Sequence, residues 1–514
     1  MNYKENIVDE ISLVQEEDLQ LELGYYGGVN NTVLKKEKVL KDDKNDFKGH
    51  FVDIDFGKFI PQLLKNLYPN ILETNSIKLE DIEVVYKRIY GKNHFQISPI
   101  NKYLFQLKED FCTEKPKCDI CPLNKFCILG RSKMVSHKTI PIIDLFCGAG
   151  GLSEGLETQG FSPIFAIDHD KEATNTYVFN RPFFDKKNMF VGDIGDYLAT
   201  YKVPNAPIVV GGPPCQGFSN ANKQSVPDDK RNYLYKKFIE FVANSQAEFV
   251  IMENVEGITK FQKFIENDFA EIGFFVKPHL INTKDFGYPQ SRKRVFFFGY
   301  KTTDKIEFEK MNIIFESGLK KNKLEKKYTL FDAISDLPVL KAKTIRNNTD
   351  IENDDWGHTI IKNNSETEYQ KLINQNIKNY IFNHRSKYNN SRDIEIYGRL
   401  EQGHKSDSPL IADINPYKNR ENIFKDKFNK LKYNEHCKTI TAHMYFDCHM
   451  YIHPTQARGL SPREAARIQG FPDDYFFVGT PNEWYRQIGN AVSPLIARHI
   501  GEGLKRAYFS KYEI

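Results

Sequence analysis

From Ile140 to about Gly299 short apolar runs alternate with stretches of helical periodicity, a rhythm that few folds accommodate. Ile140-Pro141-Ile142-Ile143-Asp144-Leu145-Phe146, Pro163-Ile164-Phe165-Ala166-Ile167, Ala206-Pro207-Ile208-Val209-Val210 and Glu248-Phe249-Val250-Ile251-Met252 are almost continuously apolar. A strand that is apolar at successive positions is buried on both faces, as happens when helices cover both sides of a parallel sheet. Leu152 to Gln159 and Tyr233 to about Asn244 are amphipathic stretches suited to that covering role. The expected fold class is α/β, a sheet of successive βαβ units.

In such sheets ligands gather outside the carboxyl ends of the strands. After the first run comes Cys147-Gly148-Ala149-Gly150-Gly151, a glycine turn whose missing side chains let a ligand approach the backbone. The second run ends at Asp168, about twenty residues past the glycines, where an acid can meet ribose hydroxyls. Asp193 in Gly192-Asp193-Ile194 is expected to end a further short strand and to be able to contact an adenine amine. Each acid alone is more often a helix cap or a surface charge; in this order, at successive strand ends, they outline a cleft.

The third run opens into Gly211-Gly212-Pro213-Pro214-Cys215-Gln216-Gly217-Phe218-Ser219. Two prolines stiffen the approach and two glycines let the backbone pass close to a ligand, which leaves Cys215 on a fixed loop as a candidate nucleophile. A lone cysteine in a tight turn is more often structural; its surroundings tip the balance. The fourth run ends in Glu253-Asn254-Val255, so a carboxyl group can reach the same pocket. One more βαβ unit leads to Gln290-Ser291-Arg292-Lys293-Arg294 and an aromatic strand, with Arg292 and Arg294 directed to one side.

At 514 residues the chain has room for two to four domains, and its net charge of +4 says nothing decisive about nucleic acid. Met1 to Gln20 is polar and acidic, and no apolar run approaches the roughly 20 residues of a membrane span, so no membrane association and a cytoplasmic location are expected. Residues 1–138 form a lysine- and acid-rich N-terminal region. Within it Cys112, Cys118, Cys121 and Cys127, four of the eight cysteines, follow a C-x5-C-x2-C-x5-C spacing that points to a metal or iron-sulfur site.

The stretch 301–455 is polar and asparagine-rich, and Arg385, Arg392, Arg399 and Gln402 are its candidate base or phosphate contacts. Ser461, Pro462 and Glu464 form a capping box for a helix that Gly470-Phe471-Pro472 ends. Gln487-Ile488-Gly489-Asn490-Ala491-Val492 introduces a last amphipathic helix from Pro494 to about Phe509.

In chain order DLFCGAGGL, GGPPCQGFS, ENV, QSRKRVFFFGY, RGLSPREAARIQGFPDDY and QIGNAVSP resemble the cytosine-C5 DNA methyltransferases, over 140–300 and 456–505. The resemblance implies a Rossmann-like methyltransferase sheet that binds S-adenosylmethionine, divided as 139–300 and 456–514, with a small target-recognition domain inserted at 301–455. It implies a sequence-specific DNA (cytosine-5-)-methyltransferase acting on a cytosine flipped out of double-stranded DNA. Cys215 would attack C6, Glu253 would serve N3, and Arg292 and Arg294 would hold the base or a flanking phosphate. Phe146, Gly148, Gly150, Asp168, Asp193, Pro214 and Asn490 would form the cofactor pocket. The enzyme is expected to be a monomer associated with DNA in a bacterial or archaeal cell, paired with a separately acting restriction endonuclease. An RNA cytosine-C5 methyltransferase and a catalytically silent DNA-binding regulator are the alternatives. Residues 101–130 resemble the iron-sulfur loop of endonuclease III-like glycosylases, which has one more residue between its first two cysteines; a structural [4Fe-4S] cluster is expected, with zinc as the alternative.

Overall fold

The computed structural model of the chain describes residues 139–181, 184–214, 233–321, 323–345, 359–360, 366–374, 380–418 and 427–512. Apart from Thr359 and Tyr380 they belong to one compact unit drawn from 136–346, 360–375 and 381–514. Cys112, Cys118, Cys121, Cys127 and Cys215 lie outside the described residues.

The strands that position the site are β1 (Ile140–Leu145), β2 (Phe161–Asp168), β3 (Met189–Val191), β4 (Ile208–Gly211), β5 (Phe249–Asn254), β6 (Phe274–Asn282), β7 (Gln290–Ser291), β8 (Lys293–Lys301) and β9 (Cys437–Lys438). Between and after them run α1 (Gly151–Glu157), α2 (Lys171–Phe179), α3 (Ile194–Thr200), α4 (Tyr233–Asn244), α5 (Gln262–Glu271), α6 (Lys305–Lys320), α7 (Leu330–Ile334), α8 (Glu368–Ile373), α9 (Ser391–Arg399), α10 (Pro462–Gln469), α11 (Pro481–Asn490) and α12 (Pro494–Tyr512).

Seven strands form the central sheet in the order β3-β2-β1-β4-β5-β8-β6. The pairings β1 with β2, β1 with β4, β2 with β3 and β4 with β5 are parallel, as their apolar runs require. The expected further parallel unit after β5 does not form: β8 runs antiparallel to both β5 and β6. The link 283–292 between β6 and β8 has no room for the crossover helix that parallel pairing needs. Pro278, which cannot donate to a ladder, sits on β6 at the sheet edge, where its missing N–H costs least.

Helices cover both faces. Ile143, Val209, Val250 and Phe297 share a core with Tyr197 of α3, Phe238 of α4 and Phe269 of α5. The next residue along β8, Phe298, points the other way and stacks at 4.3 Å on Phe315 of α6. There α12 packs against α1 and α6, and both contacts rely on glycine: a Cβ on Gly155 would meet the Pro494 carbonyl, and one on Gly318 would lie 2.6 Å from the Gly503 Cα. The α10 capping box forms as expected, and Gly470 closes that helix at φ 93°. No helix among the described residues is long and apolar enough to cross a membrane.

Candidate active site

The strand order reverses between β1 and β4, so the loops after these two strands diverge and leave a crevice at their carboxyl ends. A cleft of about 550 Å³ occupies it, lined by Phe146 to Ala149 after β1, Asp168 to Asp170 at the end of β2, Gly212 to Pro214 after β4, Glu253 to Val255 at the end of β5, Arg292 and Arg294, and Gly489 to Val492.

The turn after β1 passes three times through left-handed backbone, at Phe146 (φ 56°), Gly148 (φ 50°) and Gly150 (φ 86°). Phe146 carries the strain of that conformation without being glycine. Gly150 and Gly151 have no room for a side chain: a Cβ at the first would strike Arg181 and the Tyr177 ring, and one at the second would strike the Val492 carbonyl. Gly148 differs, since nothing lies within 4 Å of the Cβ it lacks. Its N–H donates to Asp168 Oδ2 at 2.8 Å, while Asp168 Oδ1 accepts from the Asp170 N–H at 2.8 Å, so the acid is fixed at the tip of β2. Of the predicted cofactor residues, Phe146, Gly148, Asp168, Pro214 and Asn490 line the cleft, whereas Gly150 turns the chain at the start of α1. Asp193 does not end a strand. β3 stops at Val191, and Asp193 caps α3 by accepting from the Gly195 N–H at 2.7 Å.

Sequence reasoning passed over Asp144. It is 1% exposed, and its Oδ2 accepts from Ser153 Oγ at 2.5 Å, which in turn meets Tyr177 Oη at 2.9 Å. Its Oδ1 is buried without a hydrogen-bond partner, and the residue lines the cleft. Burial pushes its pKa up to about 7, against the pull of the Ser153 hydrogen bond and the Arg181 charge. The signal was available: an acid inside a strand buried on both faces calls for a partner. An unpartnered carboxyl oxygen, open space over Gly148 and a fixed acid at the end of β2 fit a cofactor that brings a cationic centre and hydroxyls.

At the other end of the cleft the chain leaves β4 through Gly212-Pro213-Pro214, held by Asn254 Nδ2 donating to the Pro213 carbonyl at 3.0 Å. Cys215 follows Pro214 directly in sequence. Glu253, at the tip of β5, pairs with Arg294 of β8, Nε to Oε1 at 2.9 Å. Gly212 lets this carboxylate approach, since a Cβ there would lie 2.9 Å from Glu253 Oε2.

Arg292 is only 2% exposed. Its Nη1 donates to the Ile440 carbonyl at 2.8 Å, and its Nη2 to the carbonyls of Gly489 at 3.3 Å and Ala491 at 3.0 Å. Burial and the neighbouring Arg294 push its pKa down to about 9, so it remains a cation at neutrality. Gln290 extends the same network: its Oε1 accepts from the Ile440 N–H at 2.8 Å and its Nε2 donates to Gln469 Oε1 at 2.5 Å. Gln469 Nε2 then donates to the carbonyls of Ile488 and Ala491 at 3.0 and 3.1 Å. Together they tie 440 and 488–491 to the base of the cleft.

Among the surface candidates, Arg399 is taken up by Asp413 at 2.8 Å and Glu395 at 2.5 Å, and Gln402 accepts from the Tyr433 N–H at 2.8 Å. Arg392 has its side chain half exposed beside Asp393. No group of three or more His, Cys, Asp or Glu residues suited to a metal occurs among the described residues, where Cys147, Cys437 and Cys448 are buried free thiols.

The family of C-5 cytosine-specific DNA methylases matches this chain over residues 140–506. The type II methyltransferase M.DdeI of Desulfomicrobium norvegicum is 32% identical over 70% of this chain and 87% of its own length. The type II methyltransferase M.MthTI of Methanothermobacter thermautotrophicus is 31% identical over 71% of this chain and 97% of its own. A crystal structure described as a DNA modification methyltransferase encoded within an E. coli prophage superposes with a TM-score of 0.55 at 27% identity, covering 72% of this chain and all of that one. The match spans β1, the glycine turn, the Glu253–Arg294 pair and the residues that close the cleft near α12, and the chain belongs to the C-5 cytosine-specific DNA methylases.

Proposed function

We propose that the protein methylates C5 of a cytosine flipped out of double-stranded DNA, at a specific sequence, as the modification partner of a restriction endonuclease. The reading rests on one juxtaposition. The strand end that leads into Cys215, the Glu253–Arg294 pair and the Asp144–Asp168 end open into a single cleft.

Cytosine C5 is a poor nucleophile while the ring is aromatic. Addition of the Cys215 thiolate at C6, with Glu253 giving a hydrogen bond or proton at N3, turns C5 into an enamine-like carbon. Arg294 fixes the Glu253 carboxyl and faces the base or its flanking phosphate. S-adenosylmethionine, when bound, supplies an electrophilic methyl group on a sulfonium; Asp144, Asp168, the Gly148 turn and Asn490 would hold it. Loss of the C5 proton to a base and rupture of the Cys215–C6 bond then restore aromaticity. Flipping costs a few kcal/mol, recovered through pocket and backbone contacts.

Bisulfite sequencing of DNA from cells expressing the protein tests activity and target together. Duplex DNA carrying 5-fluorocytosine should form a covalent adduct with wild type and none with Cys215→Ala. Methylation of tRNA in place of duplex DNA, or methylation by the alanine variant, would refute the reading. For the N-terminal region the cysteine spacing supports a structural [4Fe-4S] cluster ahead of zinc, and iron and sulfide analysis of anaerobically purified protein separates the two.

A further inference from the structure

We infer that the turn His443-Met444-Tyr445-Phe446 is an aromatic wedge that stacks on the DNA bases beside the flipped nucleotide, with Phe446 as its leading ring. This deepens the proposed function and rests on it.

The turn is exposed at its tip and fixed at its base. Phe446 is 61% exposed, its ring 3.7 Å from that of Tyr445 and 5.3 Å from that of His443. An isolated exposed aromatic needs no explanation; Phe446 and His443 exposed beside a half-buried Tyr445 on one pinned turn do. Met444 between them is fully buried. Lys387 donates its Nζ to the carbonyls of Met444, at 3.1 Å, and Tyr445, and to Asn482 Oδ1 at 3.1 Å. On the far side Asp447 is bound by Lys427 at 2.6 Å. The backbone is held on both flanks, so Phe446 and His443 stay in water because the fold keeps them there.

The turn also stands beside the cleft. β9 pairs with β7, Thr439 Oγ1 donates to the Ser291 carbonyl at 2.7 Å, and the Ile440 peptide is gripped by Gln290 and Arg292. The chain then passes over Gly489, a residue of the cleft wall, so closely that a Cβ there would strike the Thr441–Ala442 peptide. One residue further on the aromatic turn begins. A duplex that delivers a nucleotide to Glu253 and Arg294 therefore presents its neighbouring bases to this turn. Every base offers a π face, and an inserted ring can support the stack that flipping opens.

The test uses full-length protein and a duplex carrying the sequence that bisulfite mapping finds methylated, with 2-aminopurine beside or at the target base. Phe446→Ala is expected to weaken DNA binding by roughly 5- to 150-fold, the range for losing one stacked base. It should also reduce the 2-aminopurine signal of the flipped state, with cofactor affinity and thermal stability unchanged. Phe446→Trp should restore both DNA readouts and Phe446→Leu should not. Unchanged binding and flipping in an active Phe446→Ala enzyme would overturn the wedge while leaving the methyltransferase reading intact. A fall in thermal stability with normal DNA binding would overturn it in favour of packing against the chain itself. Wild type that methylates no DNA would remove the parent reading, and the wedge with it.

Discussion

Glu253 at the tip of β5 and Arg294 on the antiparallel β8 close an ion pair of 2.9 Å in the cleft wall. Because the two groups come from neighbouring strands of a rigid sheet, the carboxyl is aimed without any loop having to order first. Glu253→Gln keeps the shape and can donate a hydrogen bond but cannot move a proton. Its single-turnover methylation rate is expected to fall by about 10²- to 10⁴-fold with cofactor affinity intact. A wild-type rate in this variant would take Glu253 out of the proton path.

Asp144 ties stability to pH. Its carboxyl titrates near 3.8 in the unfolded chain and at about 7 when folded, so the folded state keeps a proton that the unfolded state has released. The cost is absent below the unfolded value, grows as pH rises through the interval, and levels off above about 7 at roughly 4 kcal/mol. Asp144→Asn removes it. Relative to wild type the variant should gain stability from pH 4 to 7 in urea denaturation and gain no more above that, while binding S-adenosylmethionine more weakly. A stability difference that does not vary with pH would show that Asp144 is not the titrating group.

Arg292 offers a sharper division between folding and recognition. Its guanidinium donates to three buried carbonyls, on Ile440, Gly489 and Ala491. Arg292→Met would take this donor from all three and leave only Ala491 with another side-chain donor, Gln469, with an expected loss of about 3–5 kcal/mol of stability. Arg292→Lys, with a compact charge in place of a planar fork, should recover only part of it. Full stability with loss of DNA binding would instead support the expectation that this arginine holds the base or a flanking phosphate.

The contrast between the two arginines shows what sequence carries and what it leaves out. β1, its glycine turn, Asp168 and the α10 cap were legible because each is local: a strand buried on both faces is apolar throughout, and a cap needs a particular side chain at a particular position. Arg292 and Arg294 look alike in sequence, two residues apart. Only the folded chain puts one among carbonyls from 440 and 489–491 and the other beside a carboxylate. α6 was hidden for the same reason. Lys305–Lys320 is half polar, and its buried side is defined by partners nearly 200 residues away, as where Met311 meets Ser510. Asp193 was expected to end a strand and instead caps α3, because both places put an acid just past the last strand residues.

The same distinction narrows where target specificity should reside. The expected recognition region, 301–455, includes segments bound tightly into the catalytic body. α6 packs on α12, Tyr369 Oη donates to the Arg467 carbonyl at 2.6 Å, Asn383 Nδ2 to the Phe477 carbonyl at 3.0 Å, and 439–441 is held by β7 and Arg292. Around α9 lies a separate small core of Ile396, Tyr397, Leu400, Ile411 and Phe428, joined by Ile452. A segment with its own core can change its surface without disturbing the cleft. Exchanging only 388–436 for the matching stretch of a relative with a different target should therefore transfer the donor's sequence preference, read by bisulfite mapping, at a turnover rate close to wild type. The aromatic turn at 443–446 keeps its Lys387 anchor in this chimera and, with Lys427 kept to bind Asp447, should serve the new target as well as the old, because stacking tolerates any base. A chimera that folds and methylates the original sequence would place recognition outside the α9 core.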